Sequence, residues 1–257
     1  MATLSRTDVG VWSILGAGTN PFSTGSFTPP ANSILIIHIA RQGWGLSGDL
    51  GALDISGGSL TYNAVGSVRH DSPWNIKMDV YAAVVGGSPS SMTITVDDTN
   101  NDSILSYVVS VIAFTGYRQS VPTAGWVSSG DNVNIGDGAE ELTLAATPTA
   151  NDVTLLATIS DADGSPANPT LTTGWTLVHD HPNGGSAGTL SVARRENSTS
   201  TSVAVTDIYT YDSGWYKACM VSFFVQAESA VRFARPEADI STGNWTATPL
   251  WEKLDDD

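Results

Sequence analysis

The sequence predicts an all-β chain: an antiparallel, jelly-roll-like β-sandwich built from two similar halves, followed by an irregular C-terminal arm. Three observations predict it. Short apolar runs alternate with segments rich in Gly, Ser, Thr, Asn and Asp, the texture of many strands joined by tight turns. No stretch gathers strong helix formers at a 3.6-residue period. Segments of the first half also recur, in the same order, in the second.

The repeat opens with "DVGVWS" (Asp8–Ser13) against "TAGWVS" (Thr123–Ser128). "FTPPANSILIIHIARQ" (Phe27–Gln42) then answers "AATPTANDVTLLATISD" (Ala145–Asp161). "LTYNAVGSVRHD" (Leu60–Asp71) parallels "LTTGWTLVHDHP" (Leu171–Pro182), and "KMDVYAAVV" (Lys77–Val85) parallels "GTLSVARRE" (Gly188–Glu196). "SMTITVDDT" (Ser91–Thr99) matches "TSVAVTDIY" (Thr201–Tyr209), and "LSYVVSVIAFTGY" (Leu105–Tyr117) matches "WYKACMVSFFVQA" (Trp215–Ala227). Matches in one order, at an offset of roughly 110 to 120 residues, define halves of about 7–117 and 122–227. Both lie in a sandwich body of residues 1–230, and residues 231–257 form the arm.

Within each half, "MTITV" and "TLSVARR" alternate apolar and polar positions, so they read as strands with one wet face. "ILIIHIA", "VTLLATI" and "YVVSVIAF" are apolar at both parities and read as central strands covered on both faces. "SGGS", "VGGSPSS" and "DDTNND" supply turns. One core shared by both halves is the expectation.

Composition narrows the function. The net charge is −15 with only 11 Lys and Arg, too few cations for a phosphate-neutralising surface, so no nucleic-acid partner is expected. "ILIIHIA" is too short to cross a bilayer, and no membrane partner is expected. The single cysteine, Cys219, supports no disulfide framework or metal cluster. "MATLSRTDVGVW" lacks the basic and apolar regions of a signal peptide, which predicts that the protein is made and assembled in a cytoplasm.

Each candidate chemical site has a plainer reading. "GGSAG" (Gly184–Gly188) fits G-x-S-x-G, but that elbow needs a strand-to-helix turn, and here it joins two strands. "HDH" (His179–His181) puts two imidazoles at a spacing zinc could use; no third ligand is visible, so they read as solvated strand-end residues. His38 reads as a core histidine with one hydrogen-bond partner. "DDTNND" and "DADG" offer oxygens for calcium but complete no EF-hand-type loop, and Asx turns explain them. Glu140 and Glu141 are adjacent on a strand, face opposite ways and cannot flank one glycosidic bond. No catalytic residue, cofactor or metal is expected, and the chain is not read as an enzyme. Among the eight tryptophans, Trp12, Trp44, Trp74, Trp126 and Trp175 stand near strand ends or loops; edge-of-core packing is the plainer reading, and Trp44, Trp74 and Trp175 are the candidates for stacking sugars.

After "FFVQAESAV" the alternation stops. Pro236 and Pro249 rule out a continuous central strand or helix. Ile240, Trp245, Leu250 and Trp251 are too widely spaced to form their own core, so the arm is expected to dock on another subunit or another protein, its tryptophans acting as anchors.

The order "RPEADISTGNW", carried by Arg235, Pro236, Asp239, Ile240, Ser241, Gly243 and Trp245, resembles a linker in structural proteins of tailed bacteriophages. The texture of "GSVRHDSPWNIKMDVYAAVVGG" resembles the β-sandwich that precedes that linker. Such proteins often carry a further β domain after it; this sequence ends at Asp257. The resemblance implies a virion component: a capsid decoration or cement protein that reinforces the shell, or a tail-fibre or head-spike module that binds host-surface glycan. Its implied partners are the major capsid protein or tail proteins, through Arg235, Pro236, Ile240, Trp245, Leu250 and Trp251. A dimeric or trimeric homo-oligomer is expected on a symmetric particle.

Overall fold

A computed structural model describes residues 5–15, 20–43, 50–71, 75–99, 104–120, 122, 124–129, 140–161, 170–171, 173–181, 189–206 and 217–228. Among these residues the secondary structure is all strand, bridge and turn, and every strand pair is antiparallel.

The first half contributes β1 (Ser5–Leu15), β2 (Phe22–Ser23), β3 (Ser33–Gly43), β4 (Leu53–Ser56), β5 (Tyr62–Asp71), β6 (Asn75–Val84), β7 (Thr95–Asp98) and β8 (Ile104–Thr115). The second contributes β9 (Val127–Ser129), β10 (Glu140–Thr143), β11 (Val153–Asp161), β12 (Thr170–Leu171), β13 (Trp175–His181), β14 (Thr189–Glu196), β15 (Ser202–Thr206) and β16 (Lys217–Val225). The first half forms a five-stranded sheet, β1-β8-β3-β6-β5, and a three-stranded sheet, β2-β7-β4. The second forms β9-β16-β11-β14-β13 and β10-β15-β12. Adding eight to every strand number turns one half into the other. Within the first half β1 pairs with β8, β2 with β7 and β3 with β6, as a single long hairpin would if rolled into two layers.

The alternation of side chains along a strand decides how these sheets stack. In β3, Ile34, Ile36 and Ala40 point one way and Leu35, Ile37 and Ile39 the other, and all six are buried. The second set packs against Phe22, Met92, Ile94 and Val96 of the small sheet and its flanks. The first set meets Val153, Leu155, Ala157 and Ile159 of β11 and Cys219, Val221, Phe223 and Val225 of β16. Leu156, Met220 and Phe224 form a third cluster with Leu142, Leu144 and Val203. The result is four sheets in series with three apolar layers between them.

One shared core was expected, and the structure has three. The reason is that β3, β8 and β11 are apolar on both faces: one face takes the half's own small sheet and the other takes the opposite half. Each fully buried Ile, Leu or Val contributes roughly 1.5–3 kcal/mol relative to exposure, so neither face can be left in water.

The two large sheets meet in a symmetric way. β1 contacts β13, β8 contacts β14, β3 contacts β11, β6 contacts β16 and β5 contacts β9. These five contacts map onto one another when the halves are exchanged, as an approximate internal two-fold axis between β3 and β11 requires; β5 also touches β16, and β6 touches β11. Arg6 of β1 reaches Glu196 at the end of β14, while Ser13 of β1 reaches His181 at the end of β13. β3 and β11 therefore run in the same direction, and both halves share their ends. Three edge strands carry a register shift: β1 at Asp8/Gly10, β5 at Ala64/Gly66 and β13 at Leu177/His179. The extra residues in β5 and β13, Val65 and Val178, both pack on the central layer.

Candidate functional site

Polar side chains gather at two places. The first is the central layer. His38 projects from β3 into it and is wholly buried; its ring lies 6.1 Å from that of Phe223, and neither nitrogen has a hydrogen-bond partner among the described residues. Burial, then the nearby His179, push its pKa from 6.5 down to about 3. His179 shares a 2.6 Å hydrogen bond between Nδ1 and Ser110 Oγ of the opposite half. Burial lowers its pKa, Asp8 opposes that shift and Arg6 adds to it. His181 Nε2 lies 2.6 Å from Ser13 Oγ, again across the halves. The "HDH" pair was expected to be solvated; instead it clasps one half to the other. His38 is a core residue as expected, but without the expected partner.

The second cluster lies between β3 and the first small sheet. Arg41, fully buried, donates from Nη1 to Asp98 Oδ2, and from Nη2 to Asp79 Oδ2 at 2.6 Å and to the Gly51 carbonyl at 3.0 Å. Asn20 binds Asp98 at both main-chain groups: Nδ2 donates to its carbonyl at 2.9 Å, and its amide donates to Oδ1 at 2.9 Å. The Tyr107 hydroxyl donates to the same Oδ1 at 2.8 Å, and Asn20 Nδ2 also donates to Asp97 Oδ1 at 2.8 Å. The cluster ties β3, β6, β7 and β8 together. Sequence reading missed it. The available signal was a lone arginine ending "ILIIHIA" at the parity of Leu35, Ile37 and Ile39, which calls for buried carboxylates opposite.

Asp97 and Asp98 of "DDTNND" are thus spent inside this network, while residues 100–102 lie outside the described residues. Among the described residues no group of three or more His, Cys, Asp and Glu could hold a metal. Glu141 accepts a 2.6 Å bond from Ser202 Oγ across the β10–β15 pair.

Of the three candidate sugar-stacking tryptophans, Trp175 is described. Its ring is half-buried against the second outer core, with the Arg195 guanidinium 4.9 Å from the ring centre. It opens β13 beside Arg195, at the end of the sheets opposite Gly43 and Asn75, the described neighbours of positions 44 and 74. Trp44 and Trp74 lie outside the described residues. So do Gly184–Gly188 and the whole arm, including Arg235, Pro236, Ile240, Trp245, Leu250 and Trp251. Two other tryptophans serve packing. Trp12 stacks on Phe27 at 5.5 Å over the first outer core, and Trp126 stacks on Phe223 at 5.8 Å over the central layer.

A scan against protein-family models, a search of curated proteins and a search of solved structures each return no significant match.

Proposed function

We propose that the chain is a structural component of a tailed-bacteriophage virion, a decoration or cement protein that sits on the capsid surface and reinforces it. The observation that carries the reading is the linker-like order Arg235–Trp245 following directly on a mechanically continuous body. In that body one buried ion pair and two Ser–His bonds join one sheet to another: Arg41 to Asp98, Ser110 to His179, Ser13 to His181. Four sheets locked in series resist deformation, which suits a reinforcing role. Repeated weak contacts over a lattice add up through avidity. The role needs no chemistry from the chain.

The test is removal of residues 235–257, with association to purified particles measured by co-sedimentation and folding checked by thermal melting. Loss of association with an unchanged melt is expected. Association that survives the deletion removes the arm from this role.

A second reading is a fibre or spike module that binds host glycan. It is favoured by where the connections fall. β1–β2, β3–β4, β5–β6 and β7–β8, with their four counterparts in the second half, all join strands at one end of the sheets. Trp44 and Trp74 belong to two of these connections. A glycan array comparing the native chain with Trp74→Ala separates the two readings.

A further inference from the structure

We infer that the body is polar in its attachment: the end from which both of its termini leave seats on the particle's protein surface, and the opposite end faces outward. The inference rests on the virion reading and adds an orientation and a docking face to it.

The two ends of the sheets differ in three ways. First, both ends of the folded body lie at one of them. Ser5 pairs with Thr115, and Glu228 N donates to the Gly116 carbonyl at 3.3 Å. The last residues before the arm are fastened there. Arg118 N donates to the Gln226 carbonyl at 2.9 Å, and Ala227 N donates to Asp152 Oδ1 at 2.8 Å. The arm's 29 residues, 229–257, therefore begin at this end.

Second, the connecting sequences at this end carry almost no charge. Its connections are 24–32, 57–61, 85–94, 116–126, 144–152, 172–174 and 197–201, with 226–228 as the exit. They contain only Arg118, Asp152 and Glu228 as charged residues. Asp152 is buried and accepts from Thr149 N at 2.7 Å as well as from Ala227. Of the strand-end charges, Arg6 and Arg194 both meet Glu196, and Arg195 donates to the Ser200 and Ser202 carbonyls. Val84, one of two large apolar side chains exposed among the described residues, opens onto this end at 43% exposure.

Third, the opposite end is acidic. Its connections carry seven aspartates and no Lys, Arg or Glu: one each in 44–52, 99–103 and 162–169, two each in 130–139 and 207–216. Dehydrating carboxylates is costly, and the buried centres of protein interfaces are depleted of charge. An end of uncharged Gly, Ser, Thr, Pro and Asn turns is the cheaper one to press against a protein. The end whose connecting sequences carry the aspartates is the one to leave in water. The partner that fits is a folded protein surface without a demand for charge pairing, reached where the arm also begins.

Thiol mapping tests the orientation. The native cysteine, Cys219, is fully buried, so it gives a low background. Ser88→Cys and Thr199→Cys report the uncharged end, one in each half, and Ala52→Cys reports the acidic end; all three positions are exposed. Each variant is checked for a native melt, added to particles stripped of the chain, and labelled with a maleimide-polyethylene glycol before and after binding. Labelling at positions 88 and 199 is expected to slow about tenfold or more on binding, as solvent leaves an interface, while position 52 stays within about twofold. Protection of position 52 with free labelling at 88 and 199 overturns the orientation and leaves the virion reading standing. A chain that fails to co-sediment with particles overturns that reading, and the orientation with it. Protection at 88 and 199 in the free chain, lost on dilution, shows a second copy on this face and also overturns the assignment.

Discussion

Lowering the pH from about 7 to about 4.5 is expected to destabilise the central layer through His38. The ring sits wholly inside, with Phe223 beside it, His179 across the layer and Ser110 next to it on β8. Cys219 shares the layer, and the charged groups at its rim are Arg6, Asp8, Arg194 and Glu196. The pKa of His38 is lowered from 6.5 to about 3. A base with a depressed native pKa takes up its proton more readily in the unfolded chain. Stability is therefore fully present above pH 6.5 and is lost as the pH falls toward 3. At about 1.4 kcal/mol per pH unit, two units below 6.5 remove about 3 kcal/mol. His179, also shifted downward, adds a loss of the same sign. The control is His38→Leu, which puts an apolar side chain of similar bulk in its place and removes two nitrogens that have no partner among the described residues. Urea unfolding followed by tryptophan fluorescence at both pH values gives the comparison. The variant is expected to match or exceed the native protein at pH 7, by up to about 2 kcal/mol, because a buried polar group without a hydrogen bond has been removed. Its loss on acidification is expected to be smaller than the native one by about 3 kcal/mol. Equal losses in the two proteins would refute the reasoning.

Two further predictions follow from packing. A Cβ at Gly66 would stand 2.4 Å from Trp126 Cζ2, so Gly66→Ala must push the ring off the central layer; a cost of about 1–3 kcal/mol is expected from calorimetry, and an unchanged melting temperature would refute the close approach. Arg41→Met removes the guanidinium between Asp79 and Asp98, leaving Asp79 with Lys77 at 3.6 Å, and is expected to cost about 3–5 kcal/mol in urea unfolding, while Arg41→Met with Asp79→Leu and Asp98→Leu recovers most of it; equal costs in the single and triple variants would show that pairing is not what holds this cluster.

Much of this architecture could be read from the residues because periodicity is a local property. "ILIIHIA" and "VTLLATI", apolar at both parities, became β3 and β11, the covered strands either side of the internal axis. "VGGSPSS" fell between strands, whereas "DDTNND" gave its first two aspartates to the end of β7. What could not be read was which layer each face would meet, since Ile36 and Ile37 look alike in sequence and pack in different cores. The histidines show the same limit. "HDH" at a strand end looks solvated until β13 is laid against β1 and β8, and a register shift at Leu177/His179 turns the pair inward. Arg41 was legible only as an anomaly. Its partners lie 38 and 57 residues away, on strands that only the tertiary fold brings close.

The register shifts in β1, β5 and β13 have a consequence for a chain made in quantity. A long outer strand with regular spacing presents an open row of amides and carbonyls on which another copy could zip, and another on that, until the product is a fibre. An inserted residue bends the strand and breaks that row midway. Val65 and Val178 thus do double duty: they bury apolar surface between the halves, and they leave the borders at β5 and β13 too irregular to template a neighbour. Crowded copies can then lie side by side without fusing into one endless sheet.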